Sequence, residues 1–396
     1  MTATAIQRIT VYPLAIPLRR TVKHAAAQRR VADPVVVRVE LQNGIAGHGE
    51  TVPRPYVTGE TVESVVGTVR GTLAHHLLSI HPATFADALE AIDALPFAAD
   101  NGTPFPAARA AVELALLDAY TRAFGKTISE IAGWAGLAGF GSPGSLAGLR
   151  YSGVLATDNP ASMKRTLRLL WWYGVRHFKL KVGDPRDGER VAWAWRYLRR
   201  GIARGTASLR VDANGAWTLE QAVERLVQWQ DFGLAGVEQP LARDRECDLP
   251  ALKRATGTRL IHDESLVTMD DAIRLQAAGV ADGFNIRISK CGGLLPSWKL
   301  AAFARRHGSL VQLGCMVGET SILSAAGVRF LETTPGVSFA EGCFGGFLMS
   351  DDVVSRPLRF GYGGRVPRPG PTGLGVDVDP AKLDAMCLDR PIGVEL

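Results

Sequence analysis

From residue 177 onward, short apolar runs recur at a nearly fixed interval, and each is closed by a charged or reactive residue. The runs HFKLKVG at 177, LRVDANG at 209, GVEQP at 236, LIHDES at 260, GFNIRISK at 283, LVQLGC at 310 and VSFAEG at 337 end on Lys181, Asp212, Glu238, Asp263, Lys290, Cys315 and Glu341. Successive separations are 31, 26, 25, 27, 25 and 26 residues, with a helix-length segment in every interval. A constant period of this size is what repeated βα units produce. One period before Lys181 lies RYSGVL at 150, an eighth candidate strand. Eight units predict a (β/α)8 barrel, and no GxGxxG follows a first strand as a dinucleotide fold requires.

The first third reads differently. Ile6 to Leu18 alternates loosely, Val35 to Leu41 is dense in valine, and Asn43-Gly44 supplies a hairpin turn, so an antiparallel meander is expected. Helical spacing begins at Thr61, and Pro106 to Phe124 opens on proline, runs on alanine and leucine, and stops at Gly125, as a buried helix does. An α+β domain of about 130 residues therefore precedes the barrel, with Ser142-Pro143-Gly144 between them.

In a barrel the C-terminal ends of the strands form one rim, where residues distant in sequence converge. Lys179 and Lys181 share one face of their strand, because side chains alternate. Asp212, Glu238 and Asp263 close three consecutive strands, and Lys290 follows. Three converging carboxylates need a cation, and an all-oxygen donor set is the coordination Mg²⁺ prefers. Such an ion beside a substrate carboxylate stabilises the enediolate formed when an α-proton leaves. Lys179 and the metal are positive neighbours that favour the neutral, basic form of Lys181. Lys290 is expected opposite it, across the substrate carbon. Asn214 and Glu264 are candidates to support the metal, and Glu319 and Glu341 to touch substrate or a lysine. His262, alternating away from Asp263, reads as a core histidine.

Composition narrows the partners. The net charge of +6 comes from basic pairs scattered among acids, which suits anionic small molecules and not nucleic acid. The five cysteines show no zinc-ligand spacing and fit a reducing compartment. With no long apolar stretch and no basic-then-apolar start, a cytoplasmic location without membrane contact is expected.

FKLKVG, RVDANGAW, VEQPL, IHDES and ISKCGG together resemble the enolase superfamily, and within it the muconate lactonizing subgroup of the mandelate racemase/muconate lactonizing enzyme family. The likeness extends to ELALLDA at Glu113 to Ala119 and to PTGLGVDVDPAKL near residue 375. It implies an α/β fold: a modified (β/α)8-type barrel over residues 145–365, an α+β capping domain over 1–130, and a segment 366–396 packed back on the cap. It further implies Mg²⁺, with Mn²⁺ as a substitute, on Asp212, Glu238 and Asp263, and acid-base lysines Lys181 and Lys290. A homo-oligomer acting on a small-molecule carboxylate follows from the same likeness. Specificity is expected from two cap loops, Thr21 to Arg30 and Pro53 to Glu60, through His24, Arg29 and Tyr56.

Dipeptide epimerases of the subgroup carry an Asp-x-Asp pair on the eighth strand, where this chain has Ser338-Phe339-Ala340-Glu341. Muconate cycloisomerases carry Glu-Leu-Phe-Gly there, matched in part by Glu341-Gly-Cys-Phe-Gly. The expected activity is a Mg²⁺-dependent isomerase, a racemase or epimerase of an amino-acid-like acid in which each lysine serves one face. A cycloisomerase or dehydratase on the same site is the alternative. Retention of every acid and lysine argues against a non-catalytic carboxylate binder.

Overall fold

The computed structural model describes residues 3–24, 27–141, 146–157 and 159–396, without the side chains of 22–24, 27, 28 and 147. The periodic half is the expected barrel. Strands β6 (Gly153–Leu155), β7 (His177–Lys181), β8 (Ser208–Asp212), β9 (Val237–Glu238), β10 (Leu260–His262), β11 (Gly283–Ile286), β12 (Leu310–Leu313) and β13 (Val337–Ala340) form one parallel sheet in sequence order. The edges meet through a parallel bridge between Tyr151 and Ala340, where the Ser152 amide donates to the Ala340 carbonyl at 2.8 Å. Helices follow the first seven strands, from Pro160–Trp172 to Ser321–Thr333, whereas only the short turn Gly345–Leu348 follows β13. Outward residues such as Phe178, Leu180, Leu209, Val211, Phe284 and Ile286 are wholly buried under this helical layer, which fixes the register.

Ahead of the barrel, β1 (Ile6–Pro13), β4 (Val35–Leu41) and β5 (Ala46–Thr51) pair antiparallel, with the β4–β5 turn at Asn43-Gly44. The expected meander is interrupted, because β2 (Ile16–His24) and β3 (Ala27–Ala32) leave as a separate hairpin. Arg19, Arg20 and Thr21 fall on alternate faces of β2, so this stretch has no apolar face to pack on the sheet. The last strand, β14 (Ile392–Glu395), pairs antiparallel with β1, Arg8 opposite Glu395. Helix Pro106–Ala123 lies against β4 and β5 and is buried on nearly every face.

The cap is tied to the barrel by buried polar groups. Glu50, on β5, accepts from the Thr320 amide at 2.7 Å, the Thr320 hydroxyl at 2.6 Å and the Leu323 amide at 2.9 Å, at the start of helix Ser321–Thr333. Glu113 accepts from the Leu295 amide at 2.8 Å, at the start of helix Leu294–Arg306. Each carboxylate satisfies helix amides that have no partner within their own helix. Gly293 has φ +121°, and a Cβ there would lie 1.1 Å from Glu113 Oε2, so only glycine lets the carboxylate approach. Among the described residues no helix is long and apolar enough to cross a membrane.

Candidate active site

Alternation places the site. On β7, Lys179 and Lys181 point inward; on β8, Arg210 and Asp212 do, in register with them, and Asp212 is in register with Glu238. Asp263 follows β10 directly. Asp212, Glu238 and Asp263 are wholly buried.

Each carboxylate is held by cations, and Asp212 and Glu238 by amides as well. Lys179 Nζ lies 2.6 Å from Glu341 Oε2, 3.2 Å from Glu238 Oε1 and 3.4 Å from Asp212 Oδ2. Burial pushes this ammonium down, but Glu238, Glu341 and Asp212 outweigh burial and hold its pKa above the ordinary lysine value. Lys179 is a fixed charge. Glu238 also accepts from Asn285 Nδ2 at 2.7 Å and Gln312 Nε2 at 2.8 Å. Burial alone would raise it, yet Lys179, Lys181 and Arg287 keep its carboxyl well below the usual range. Asp212 is pushed up by burial and by the Glu238 charge.

Lys181 Nζ donates to Asp212 Oδ2 at 2.6 Å and to Asn214 Oδ1 at 2.7 Å, and its side chain keeps 20% exposure, against 3% for Lys179 and none for Lys290. Of the three lysines it is the one open to the mouth. Lys290 lies in the turn beyond β11, where Nζ donates to the Asp263 carbonyl at 2.6 Å, Asp263 Oδ1 at 3.0 Å and the Asn285 carbonyl at 2.9 Å. Arg287, directly after β11, pairs with Asp263 Oδ2.

Asn214 joins Lys181 to Glu264, donating to Glu264 Oε1 at 2.9 Å. Glu264 is pushed up to about 7 by burial and by Asp263 and Asp212, and its Oε2 is buried without a partner among the described residues. Glu341 links Lys179 to Arg210 Nη2, 2.8 Å from its Oε1. Glu319 accepts from the Met316 amide in its own loop and from the Ser324 hydroxyl in the helix that follows, and burial raises it to about 7. His262 Nε2 donates to the Val280 carbonyl at 2.9 Å, inside the helical layer.

Of the cap candidates, Arg29 pairs with Asp33, which also holds Arg54; Arg54 Nη2 in turn donates to the Val317 carbonyl beyond β12 at 2.8 Å. The hairpin therefore meets the rim, and a Cβ on Gly318 would lie 2.7 Å from that of Ala32. Tyr56 is 40% exposed on the turn Pro55–Thr58. His24 closes β2, and its side chain lies outside the described residues.

Sequence reasoning missed Arg210, Asn285, Arg287 and Gln312, which the alternation that selected Lys179 would also have placed inward. It missed Gln239 too. At φ +37°, this residue accepts from the Asp263 and Ser265 amides at 3.2 and 3.1 Å and so fixes the start of the Asp263 turn.

Among the described residues no three acidic, histidine or cysteine side chains stand ready-made around one point. Asp212 is drawn to Lys181, Glu238 to Lys179, and Asp263 to Arg287 and Lys290. The donor chemistry still fits a hard divalent cation. Three buried carboxylates sit on neighbouring strands, which are about 4.8 Å apart, and the orphaned Glu264 oxygen next to Asp263 adds negative potential.

The chain matches an enolase C-terminal domain-like family over residues 162–382, and the mandelate racemase / muconate lactonizing enzyme N-terminal domain over residues 6–133. It is 28% identical to L-Ala-D/L-Glu epimerase of Bacillus subtilis (strain 168) over 375 residues, 94% of this chain and 96% of that one. It is also 28% identical to muconate cycloisomerase 1 of Rhodococcus opacus over 386 residues, 96% of this chain and 97% of the other. The solved muconate lactonizing enzyme from Pseudomonas putida superposes with a TM-score of 0.80 at 26% identity, covering 96% of this chain and 99% of that one.

Proposed function

The chain belongs to the enolase superfamily, in its mandelate racemase / muconate lactonizing enzyme family, and we propose that it is an isomerase that removes the α-proton of a small carboxylic acid with Lys181. The carrying observation is the position of that lysine. It is the one open to the mouth, with its nitrogen fixed by Asp212 and Asn214. Two relatives are named for acting on L-Ala-D/L-Glu and on muconate, which supports a small acid as substrate.

Asp212, Glu238 and Asp263 are the residues that would hold a divalent ion, Mg²⁺ by their chemistry. Bound there, the ion supplies the positive charge that lowers the energy of an enediolate. Lys181 takes the proton. Lys179, enclosed by Glu238, Glu341 and Asp212, keeps its proton and orients those carboxylates. Asn214 holds Lys181 against Glu264 and limits the directions in which its lone pair can point.

The test follows loss of the α-proton signal by NMR in deuterated water, across a panel of free, N-acylated and cyclic amino acids and dicarboxylic acids. Exchange should require Lys181 and stop on chelation. Exchange that persists in Lys181→Ala, or after the metal is stripped, sinks the reading.

A further inference from the structure

We infer that the group facing the substrate opposite Lys181 is Arg287 and not Lys290, so that a single base, Lys181, handles the proton. This rests on the reading of Lys181 given above. In an eight-stranded barrel the second and sixth strands lie across from each other, and these are β7, which carries Lys181, and β11. Asn285 on β11 points inward, since its amide donates to Glu238 Oε1 at 2.7 Å. Arg287, two residues on and directly after the strand, turns to Asp263 on the same inner side and lines a small cavity with Tyr151, Cys315, Met316, Glu319 and Glu341.

Lys290 is placed otherwise. Strand geometry ends at Ile286, and the turn that follows carries Lys290 back beneath the strand end. An ammonium has three hydrogens to donate, and here three oxygens take them, at 2.6, 2.9 and 3.0 Å. None is left to aim at a substrate, and the side chain has no exposed surface. Its place is structural: it fixes the Asp263 backbone and side chain against β11.

Arg287 has donors to spare. Among the described residues, one amino group pairs with Asp263, Nη1 reaches only the Met316 sulfur at 3.5 Å, and Nε is buried with no partner. A guanidinium edge with unused donors suits a carboxylate or an enediolate oxygen. It keeps its proton at neutral pH, so it can stabilise charge but cannot return a hydrogen to the carbon. Proton removal and return on one face fit ring opening or closure rather than two-base inversion.

Two measurements test this, and the first needs no substrate. Timed acetylation with acetic anhydride, and phenylglyoxal modification of arginine, are read by peptide mass spectrometry on the folded, Mg²⁺-loaded protein. Lys181 and Arg287 should react, and succinate should protect Arg287. Lys290 should stay unmodified until the protein unfolds, and labelling of Lys290 as fast as Lys181 overturns the inference.

The second follows α-proton exchange for both enantiomers of N-acetylated amino acids and of 2-substituted dicarboxylic acids. Wild type should exchange one hand, and Arg287→Gln should slow it about 100-fold without changing the preferred hand. Arg287→Lys, which sets an amine on the second face, should gain exchange of the other hand. Comparable exchange of both hands in wild type, with one hand lost selectively in Lys290→Met, defeats the inference. Exchange that survives Lys181→Ala defeats the functional reading instead, and the labelling pattern then decides between Arg287 and Lys290 independently.

Discussion

Replacing Glu50 separates its two contributions, as a hydrogen-bond acceptor and as a buried acid. In Glu50→Ala the Thr320 and Leu323 amides lose the acceptor that ends their helix, and the Thr320 hydroxyl loses its own. A buried donor left unpaired costs about 1–3 kcal/mol, so the two amides alone amount to about 4 kcal/mol, roughly a 10³-fold rise in the opening equilibrium. Glu50→Gln keeps one accepting oxygen and should lose only about 1–2 kcal/mol. The two variants also differ from wild type in pH response. Burial pushes the Glu50 carboxyl up to about 8 from its ordinary 4.5, in spite of the donated bonds. Between those values the folded state binds more protons than the unfolded one. The stability this confers is therefore complete below the ordinary value and is lost as pH rises through 8. Wild type should lose stability from about pH 4.5 to about 8, and Glu50→Gln should show a flatter profile. Urea unfolding across that range, with hydrogen exchange at Thr320 and Leu323, measures both effects. An Ala variant within about 1 kcal/mol of wild type would deny the acceptor role, and a Gln variant with an unchanged pH slope would deny the buried titration.

Gly293→Ala drives a methyl group into the Glu113 carboxylate and forces a left-handed φ on an L-residue, so thermal unfolding should come at a clearly lower temperature. Changing Asp212, Glu238 or Asp263 to its amide should weaken Mg²⁺ binding by at least 10–100-fold in order of magnitude, read by calorimetry on folded protein; unaltered affinity would remove that residue from the metal site. Gln239→Ala frees the Asp263 and Ser265 amides and should lower metal affinity by the same measurement, more than a surface substitution does. Arg29→Ala and Tyr56→Ala should shift the ratio of rates between substrates and leave Mg²⁺ affinity alone; equal losses on all substrates together with lost fold would mark them as structural.

The barrel was legible because its strands each bring an apolar, outward-packing set and one closing residue at regular spacing, and helix Pro106–Ala123 because proline and glycine bracket it. The β2–β3 hairpin was not, since Ile16 to Leu18 continues the alternation of β1 across a gap of two residues, and nothing local says where pairing changes partner. At the rim, alternation is a sound guide only while the chain remains extended. It selects Lys179, Lys181 and Asp212 correctly as inward-facing, and it would have selected Arg210, Asn285 and Arg287. It has no authority at Lys290, which lies in the turn beyond the strand. Which carboxylate pairs with which cation, as Glu341 does with Lys179 and Arg210, depends on contacts between strands far apart in sequence.

The pairing of β1 with β14 joins residues 387 apart, and Glu50 reaches across 270 residues to Thr320. Contacts of such sequence separation form late, because the intervening chain must first be ordered. The cap sheet therefore waits on the barrel: β1 keeps an open edge until the final strand arrives, and the helix beginning at Ser321 keeps open amides until β5 docks. During synthesis the earliest segment is thus among the last to be completed. A chaperone or a sticky neighbour would meet that open β1 edge until the strand Ile392–Glu395 covers it.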